Sequence, residues 1–520
     1  MSDIYDEENK IKGAVSADLD NNIELLDSMF KDCDDIVKKS FTLVREDGQH
    51  RIYLIYIDGL CDADVLAEEV IKPLTYEWSV HNNDADSLKL SGMQWAAKDN
   101  TLAGEILSYQ AQTVDIKEVS LLDEAVMAVL KGDTSLFIDN YDKAMVISTK
   151  KYPLRGISEN DIEPGLRGPR DQFIEGFRRN TALIRRRIRD PKLKIKQSTM
   201  GQRSRTDYAL VYLEDVAEPR LVQEVEQAIE HYDIDAIFDS GMAEQLMEDG
   251  WHSPFPKFQA TTRPDKVASG IVEGRVAVVF DNSPEVIIAP VNVNMLLQAA
   301  DDYYNRWTVG SFSRLLRYIA IFLAIGMPGL YVALTVHHTE LLPEKLLFAI
   351  ANARYAVTFS VVTEVLIMEL FFELLREAGL RLPGPLGSTI GVVGGLIVGQ
   401  AAVDAGIVST IVVIVVALTA IASFAIPNEV FASVFRLLKF LLLATSALLG
   451  IYGFLIGMLA IVIHLAGLES FGLSYLQSGM SKNVEEKDSD YVIKGPIQTM
   501  VNRPAWVKQD SKVRLKRNER

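Results

Sequence analysis

The chain has 520 residues, 48% of them apolar and 24% charged, and a formal net charge of −17. Mean hydropathy is +0.11, but nearly continuous hydrocarbon between Leu315 and Leu465 excludes a purely soluble protein, because several stretches exceed the ~18 apolar residues read as a membrane span. Three or more domains are expected at roughly 100–200 residues each. With two cysteines, Cys33 and Cys61, and no CxxC, neither a disulfide framework nor a zinc site is expected.

Met1–Lys12 is polar and acidic, without the basic and apolar regions of a cleaved secretory signal, so none is expected. Residues 1–38 read as an acidic flexible extension. A first α/β subdomain is expected over 39–150, opening on the β-type run Arg51–Ile57, the turn Asp58-Gly59 and a helical pattern over Val65–Leu74. The same design returns over 207–310, with Tyr208–Leu213 as strand, Glu214-Asp215 as turn and Leu221–Ile229 as helix. A second pair of segments matches: Val129–Gly132 through Asp139-Asn140 aligns with Val272–Gly274 through Asp281-Asn282. Asp-Asn between two β-branched runs reads as a hairpin turn. The soluble half is therefore expected to hold two copies of one small module, joined by an Arg-rich helix over Pro169–Arg189.

Charge is unevenly placed. Residues 1–150 carry 30 acidic against 14 basic side chains, whereas 151–206 carry 6 against 15. Arg178, Arg179, Arg185, Arg186 and Arg187 form the core of that basic segment. It suits an acidic partner in the same assembly, or anionic lipid. No aromatic interleaving or reader motif supports nucleic acid.

No catalytic constellation is present: the chain has no Walker sequence, no GxGxxG after a strand, no HExxH and no GxSxG. No enzyme activity and no cofactor or metal are expected. Asp139 and Asp281 read as turn residues, and His337-His338 as helix-capping or interface residues rather than ligands.

The remaining chain reads as an α-helical polytopic membrane domain over 311–470 and a basic cytoplasmic tail over 471–520. The first span is Tyr318–Val336, bent at Pro328, and Leu341–Arg354 is an amphipathic linker. The second span, Ala356–Leu375, holds Glu364, Glu369 and Glu373, which are expected to avoid lipid. Glu369 and Glu373 share a helix face, and Glu364 lies about 140° from Glu369. In Leu386–Ala405, Gly391, Gly395 and Gly399 form a small-residue face for tight packing. Thr389, Val393, Ile397, Gln400 and Asp404 fall opposite, as a candidate pore lining with an apolar constriction and a carboxylate ring for cations. A rival lining is Ser409, Val412, Val416, Thr419 and Ser423. Gly406–Ile426 and Leu437–Leu465 complete five apolar segments. Basic residues flank both ends of the region, with ten Lys/Arg between Lys482 and Arg520, which places both ends in the cytoplasm. Five crossings would separate those ends, so about four spans are expected, with 386–405 re-entrant or broken.

Several longer motifs resemble the A subunit of the GerA-type spore germinant receptors. They are Glu163-Pro-Gly-Leu-Arg-Gly-Pro-Arg-Asp-Gln-Phe-Ile-Glu175, Arg-Asp-Pro-Lys-Leu-Lys at 189–194, Gly310-Ser-Phe-Ser-Arg-Leu-Leu-Arg317, Phe372-Glu-Leu-Leu-Arg-Glu-Ala-Gly-Leu-Arg-Leu-Pro383 and Val398-Gly-Gln-Ala-Ala-Val-Asp404. The resemblance runs from about residue 40 to the C-terminus. It implies a receptor in the inner membrane of a dormant spore, with a transporter-like B subunit that senses the nutrient and a C-subunit lipoprotein. The A subunit would form a homo-oligomer and conduct ions when nutrient binds, with its soluble half facing the spore core. One departure is visible: family members often carry Val-Pro-Phe-Pro at the second span, where this chain has Val357-Thr-Phe-Ser360. Losing both prolines is expected to straighten the start of that helix. A non-conducting scaffold that couples the sensing subunit to downstream effectors is the competing reading. A transporter would require inverted repeats in the membrane half, and none is seen there.

Overall fold

A computed structural model describes residues 11–45, 48–72, 103, 106, 115–152, 163, 165, 167–250, 252–381, 399–476, 492–503, 507 and 513–515. The N-terminal half contains two five-stranded antiparallel sheets of the same topology, in the orders β1-β2-β4-β5-β3 and β6-β7-β9-β10-β8. The first comprises β1 (Ile36–Arg45), β2 (Gly48–Ile57), β3 (Ile116–Val119), β4 (Thr134–Ile138) and β5 (Ala144–Ile147). The second comprises β6 (Leu193–Met200), β7 (Thr206–Leu213), β8 (Gln259–Thr261), β9 (Val276–Phe280) and β10 (Val286–Ala289). Every residue of the central strands β4 and β9 is buried, because each sheet has apolar side chains packed on both faces. That double burial replaces alternation with a continuous apolar run.

The duplication reaches further toward the N-terminus than the strand pattern indicates. Helix α1 (Leu19–Met29) precedes β1, and α2 (Leu122–Leu130) lies between β3 and β4. Their equivalents in the second module are α3 (Phe177–Arg187), before β6, and α6 (Pro264–Val272), between β8 and β9; α4 (Pro219–Glu230) and α5 (Ser240–Met247) cover the other face. Asn22 in α1 and Asn180 in α3 each bond back to the segment ahead of their helix, Asn22 to both N–H and C=O of Ser16 and Asn180 to both of Ile174. Asp139 accepts from Leu19 N at 3.5 Å, and Asp281 from Phe177 N at 3.3 Å. Asn140 and Asn282 follow at φ 61° and 62°, so both Asp-Asn pairs are turns that also tie down the first helix.

Two expectations are corrected here. Residues 11–38 are not a loose acidic extension: Leu19, Leu26, Met29 and Phe30 are buried in the first module's core. Asp20, Glu24 and Asp27 sit on the outer side of an amphipathic helix, which average composition hides. The Arg-rich helix is not a linker; it is the first helix of the second module.

The helical C-terminal half begins with α7 (Val293–Leu297) and α8 (Ala300–Tyr304), leading into α9 (Trp307–Val332), which continues with wider turns to His337. There follow α10 (Glu344–Arg354), α11 (Val361–Arg381), α12 (Gly399–Asp404), α13 (Thr410–Phe424) and α14 (Glu429–Gly467). The start of α11 is not straightened by the missing prolines. Residues 357–360 stay non-helical, and Ser360 caps the helix through Thr363 N at 3.3 Å.

Two described helices are long and apolar enough to cross a membrane, Trp307–His337 and Glu429–Gly467, with mean hydropathies of 2.2 and 2.4 in their most apolar windows. The second is not one rod. Gly450 has φ 60° and ψ −138°, a conformation foreign to a helix and open to glycine. A methyl group on Gly457 would lie 2.7 Å from Leu442 Cδ2 and 3.0 Å from Thr445 Oγ1. In a straight helix residues 442 and 457 would stand roughly 22 Å apart at 1.5 Å per residue. The chain therefore reverses at Gly450, and the expected single segment Leu437–Leu465 is two antiparallel arms.

Candidate functional site

The soluble modules meet through the basic segment. Arg185 Nε and Nη2 each donate to Asp35 at 2.8 Å, and both side chains are buried. Burial alone would lower the guanidinium's pKa, but the Asp35 charge and its hydrogen bonds outweigh that and raise it. Residues 32–34 add to the edge of β6, with Asp34 N donating to Ile195 O and Ile195 N to Asp32 O, both at 3.0 Å. Arg178 reaches Asp58 of the first module at 3.2 Å, and Arg186 stacks over Tyr152 at 4.6 Å. Arg187 turns to Asp171 in its own segment, and Arg179 is exposed. Thus Arg178, Arg185 and Arg186 face the first module, whereas Arg179 and Arg187 do not.

The second module is seated on the helical bundle. Phe255, Leu296 and Leu297 share a core with Ile325, Phe431, Phe435 and Phe454. Asp302, in α8, accepts from Arg317 Nη1 at 2.5 Å and Nη2 at 3.0 Å, and from Arg314 Nε at 3.3 Å. The tail folds back to the same junction: Lys494 Nζ donates to Asp302 O at 2.6 Å and lies over the Tyr303 ring. Val507 is buried in the second module's core. Both flanks of the bundle therefore lie on one side of it.

The bundle's own polar residues fall into two clusters. Glu364 is buried, accepting from Arg354 Nε at 3.0 Å and from Ser409 N at 2.9 Å. Glu369, also buried, meets Lys439 Nζ at 2.6 Å. Glu373 lies 3.8 Å from the same ammonium, 3.4 Å from Arg376 and 3.6 Å from Arg436, and is partly exposed. Glu429 closes this cluster, bonding Arg376 and, at 3.1 Å, Arg436. The expected shared face of Glu369 and Glu373 thus meets Lys439, and Glu364 faces elsewhere. Sequence reasoning missed Arg376, Glu429, Arg436 and Lys439. The available signal was spacing, since a basic pair three apart, 436 and 439, can meet an acidic pair four apart on a neighbouring helix. Glu369 Oε1, Ser446 Oγ and Tyr331 OH are buried without a hydrogen-bond partner.

Of the candidate pore lining, Thr389, Val393 and Ile397 lie outside the described residues, as do Gly391 and Gly395. Gly399 is buried, with Val413 Cγ1 3.9 Å from the position of an added methyl. Ala402 and Val403 pack on the core formed by α9, α11, α13 and α14. Gln400 and Asp404 are exposed and joined by a 3.0 Å hydrogen bond. The rival stripe is spent on packing within the chain: Val412 and Val416 join Tyr331, Val365 and Met368 in one core, while Thr419 and Ser423 bond backbone carbonyls of their own helix. His337 Nε2 lies 2.8 Å from Ala447 O, so this pair does line an interface, against the Gly450 reversal.

Residues 24–506 match the family model described as Bacillus/Clostridium GerA spore germination protein. Spore germination protein A1 of Bacillus subtilis (strain 168) is 36% identical over 94% of this chain and 97% of its own length. Spore germination protein KA of the same organism is 36% identical over 97% of this chain and 90% of its own. The N-terminal domain of the A subunit of the Bacillus megaterium spore germinant receptor GerK3, a crystal structure, aligns over 54% of this chain and 96% of its own at 25% identity, with a TM-score of 0.40. With a family match spanning nearly the whole sequence and relatives of this similarity, the chain belongs to the GerA spore germination protein family.

Proposed function

We propose that this protein is the A subunit of a nutrient-responsive germinant receptor in the spore inner membrane, and that several copies surround an axis along which cations flow on stimulation. A transporter-like B subunit would sense the nutrient, with a lipoprotein C subunit associated. The observation that carries this reading is the two-faced character of α12. It buries Gly399, packs the partly buried Ala402 and Val403 on its own bundle, and leaves Gln400 and Asp404 exposed. An exposed amide and carboxylate next to an apolar bundle suit a hydrated axis between symmetric copies, where a carboxylate ring favours cations. The rival stripe Ser409–Ser423 packs within the chain's own bundle, which favours α12 as the lining.

Crossing parity adds a constraint. The reversal at Gly450 adds a pass, so α9, α11, α13 and the two arms of α14 would make five; the Lys494 contact with α8 keeps the two flanks of the bundle together, which favours an even total.

The test is cation flux through proteoliposomes carrying the chain alone or with its B and C subunits. Asp404→Asn should lower cation over anion preference, and Val393→Ala or Ile397→Ser should leak without nutrient. Absence of flux from every combination would favour the non-conducting scaffold.

A further inference from the structure

The C-terminal tail returns to the bundle with its two sides put to different uses. Lys494, Met500 and Val507 are buried and seat it. The Lys494 backbone clasps Ser311, in the second turn of α9: its N–H donates to Ser311 Oγ at 3.0 Å, and its carbonyl accepts from that hydroxyl at 3.1 Å. The other side is apolar and uncovered, with Ile493, Ile497 and Val501 at 68%, 59% and 42% exposure. Val513 and Leu515 are also exposed and extend the same face, because Arg514 N and Leu515 N donate to Val501 O at 2.9 and 3.3 Å. An apolar face held outward by buried anchors marks a surface that something covers.

Position and charge say what covers it. Ser311 precedes Tyr318, where the apolar span opens, by roughly 10 Å along α9 at 1.5 Å per residue. A headgroup layer is about 5–8 Å thick on each side of the hydrocarbon, so the clasp lies at the membrane surface. Trp307, Val309, Phe312 and Leu316 are exposed along this stretch of α9, and tryptophan is enriched at that boundary. The apolar face of the tail is therefore continuous with helix turns that already reach lipid. The charge agrees: residues 492–520 carry 8 basic against 2 acidic side chains. Apolar side chains beside surplus positive charge are complementary to a leaflet with anionic headgroups.

We infer that the face built by Ile493, Ile497, Val501, Val513 and Leu515 docks on the anionic surface of the membrane that α9 enters. The inference rests on the reading that α9 spans a membrane and is independent of ion conduction. Lys494 gives the contact reach. Its ammonium donates to Asp302 O at the end of α8, and the Asp302 carboxylate holds Arg314 and Arg317. Lipid that holds the tail therefore also steadies the junction between the second soluble module and the bundle.

The test places an environment-sensitive fluorophore on Ile497→Cys in the full chain. Nanodiscs of phosphatidylcholine, alone or mixed with phosphatidylglycerol, carry lipid spin-labelled at headgroup depth as quencher. The wild-type chain, labelled in the same way, supplies the background from Cys33 and Cys61. A probe on Leu455→Cys, exposed on α14, reports insertion of the bundle separately. Quenching at 497 should be about twofold or more stronger in the anionic discs and should fade as salt screens the headgroups. Ile493→Glu combined with Leu515→Glu, both at exposed positions, should weaken it while the melting temperature and the signal at 455 hold. Equal quenching in both lipids, with position 497 open to a water-soluble quencher, would overturn the inference and point to a protein partner instead. Undiminished quenching in the folded double variant would overturn it too. Loss of the signal at 455 as well would overturn the span reading, and the docking with it.

Discussion

Arg185 and Asp35 form a two-pronged ion pair at 2.8 Å, wholly buried between the two soluble modules. Removing one partner strands the other charge in the interior. Asp35→Ala or Arg185→Leu should therefore cost about 3–5 kcal/mol, whereas replacing both by apolar residues should cost far less. Arg186→Glu should cost about 1 kcal/mol through loss of the Tyr152 stack, and Arg179→Glu, on an exposed site, about 0.5 kcal/mol or less. Thermal unfolding of the five variants checks this order; equal effects would show that charge alone, not burial, governs the segment.

The Glu369–Lys439 pair joins α11 to α14 inside the apolar bundle. Glu369→Leu should lower the amount of folded protein in membranes, because the buried Lys439 amine loses its closest partner. Glu369→Leu combined with Lys439→Leu should restore most of it, since apolar replacement of a buried pair is often neutral or stabilising. Immunoblots of membrane fractions provide the measurement. A double variant as depleted as the single one would show that folding needs the ion pair itself and not merely the absence of an unmatched charge.

At Gly450 two constraints coincide. A side chain there must adopt a backbone conformation open to glycine, and its Cβ would sit 2.7 Å from His337 Cβ. Gly450→Ala should cost about 3 kcal/mol from strain and overpacking together. Cysteine labelling from either side of the membrane reads the outcome. If residues flanking 450 label as before and the variant keeps wild-type stability, the reversal is not set by this glycine.

Glu244 gives the soluble half a pH dependence. Burial, reinforced by the carboxylates of Glu248 and Glu285, pushes its pKa up to about 7. A folded-state value above the unfolded one means that the native protein holds the extra proton between about pH 4.5 and 7, so stability falls as pH rises through that window. The loss is on the order of 2 kcal/mol by pH 8. Glu248 and Glu285 are raised too, so Glu244→Gln should flatten the slope in part. Melting curves from pH 5 to 8 with an unaltered slope in that variant would refute the assignment.

Much was legible before any coordinates because it is written in local pattern. The paired segments around Asp139 and Asp281 disclosed a duplicated module, since a repeated hairpin needs repeated turn chemistry. The apolar runs disclosed the helical C-terminal half and the carboxylates set within it. What local pattern could not convey was which partner each residue meets. Asp35 reaches Arg185 across 150 positions and Glu369 reaches Lys439 across 70, and composition does not encode such distances. The acidity of residues 11–38 hid an amphipathic helix whose value lies in a core built by later strands. The run Leu437–Leu465 reads as one span because hydropathy has no direction. Only the packing of Gly457 against Leu442 decides that the chain turns back at Gly450, since a glycine bends a helix only where a neighbour rewards the bend.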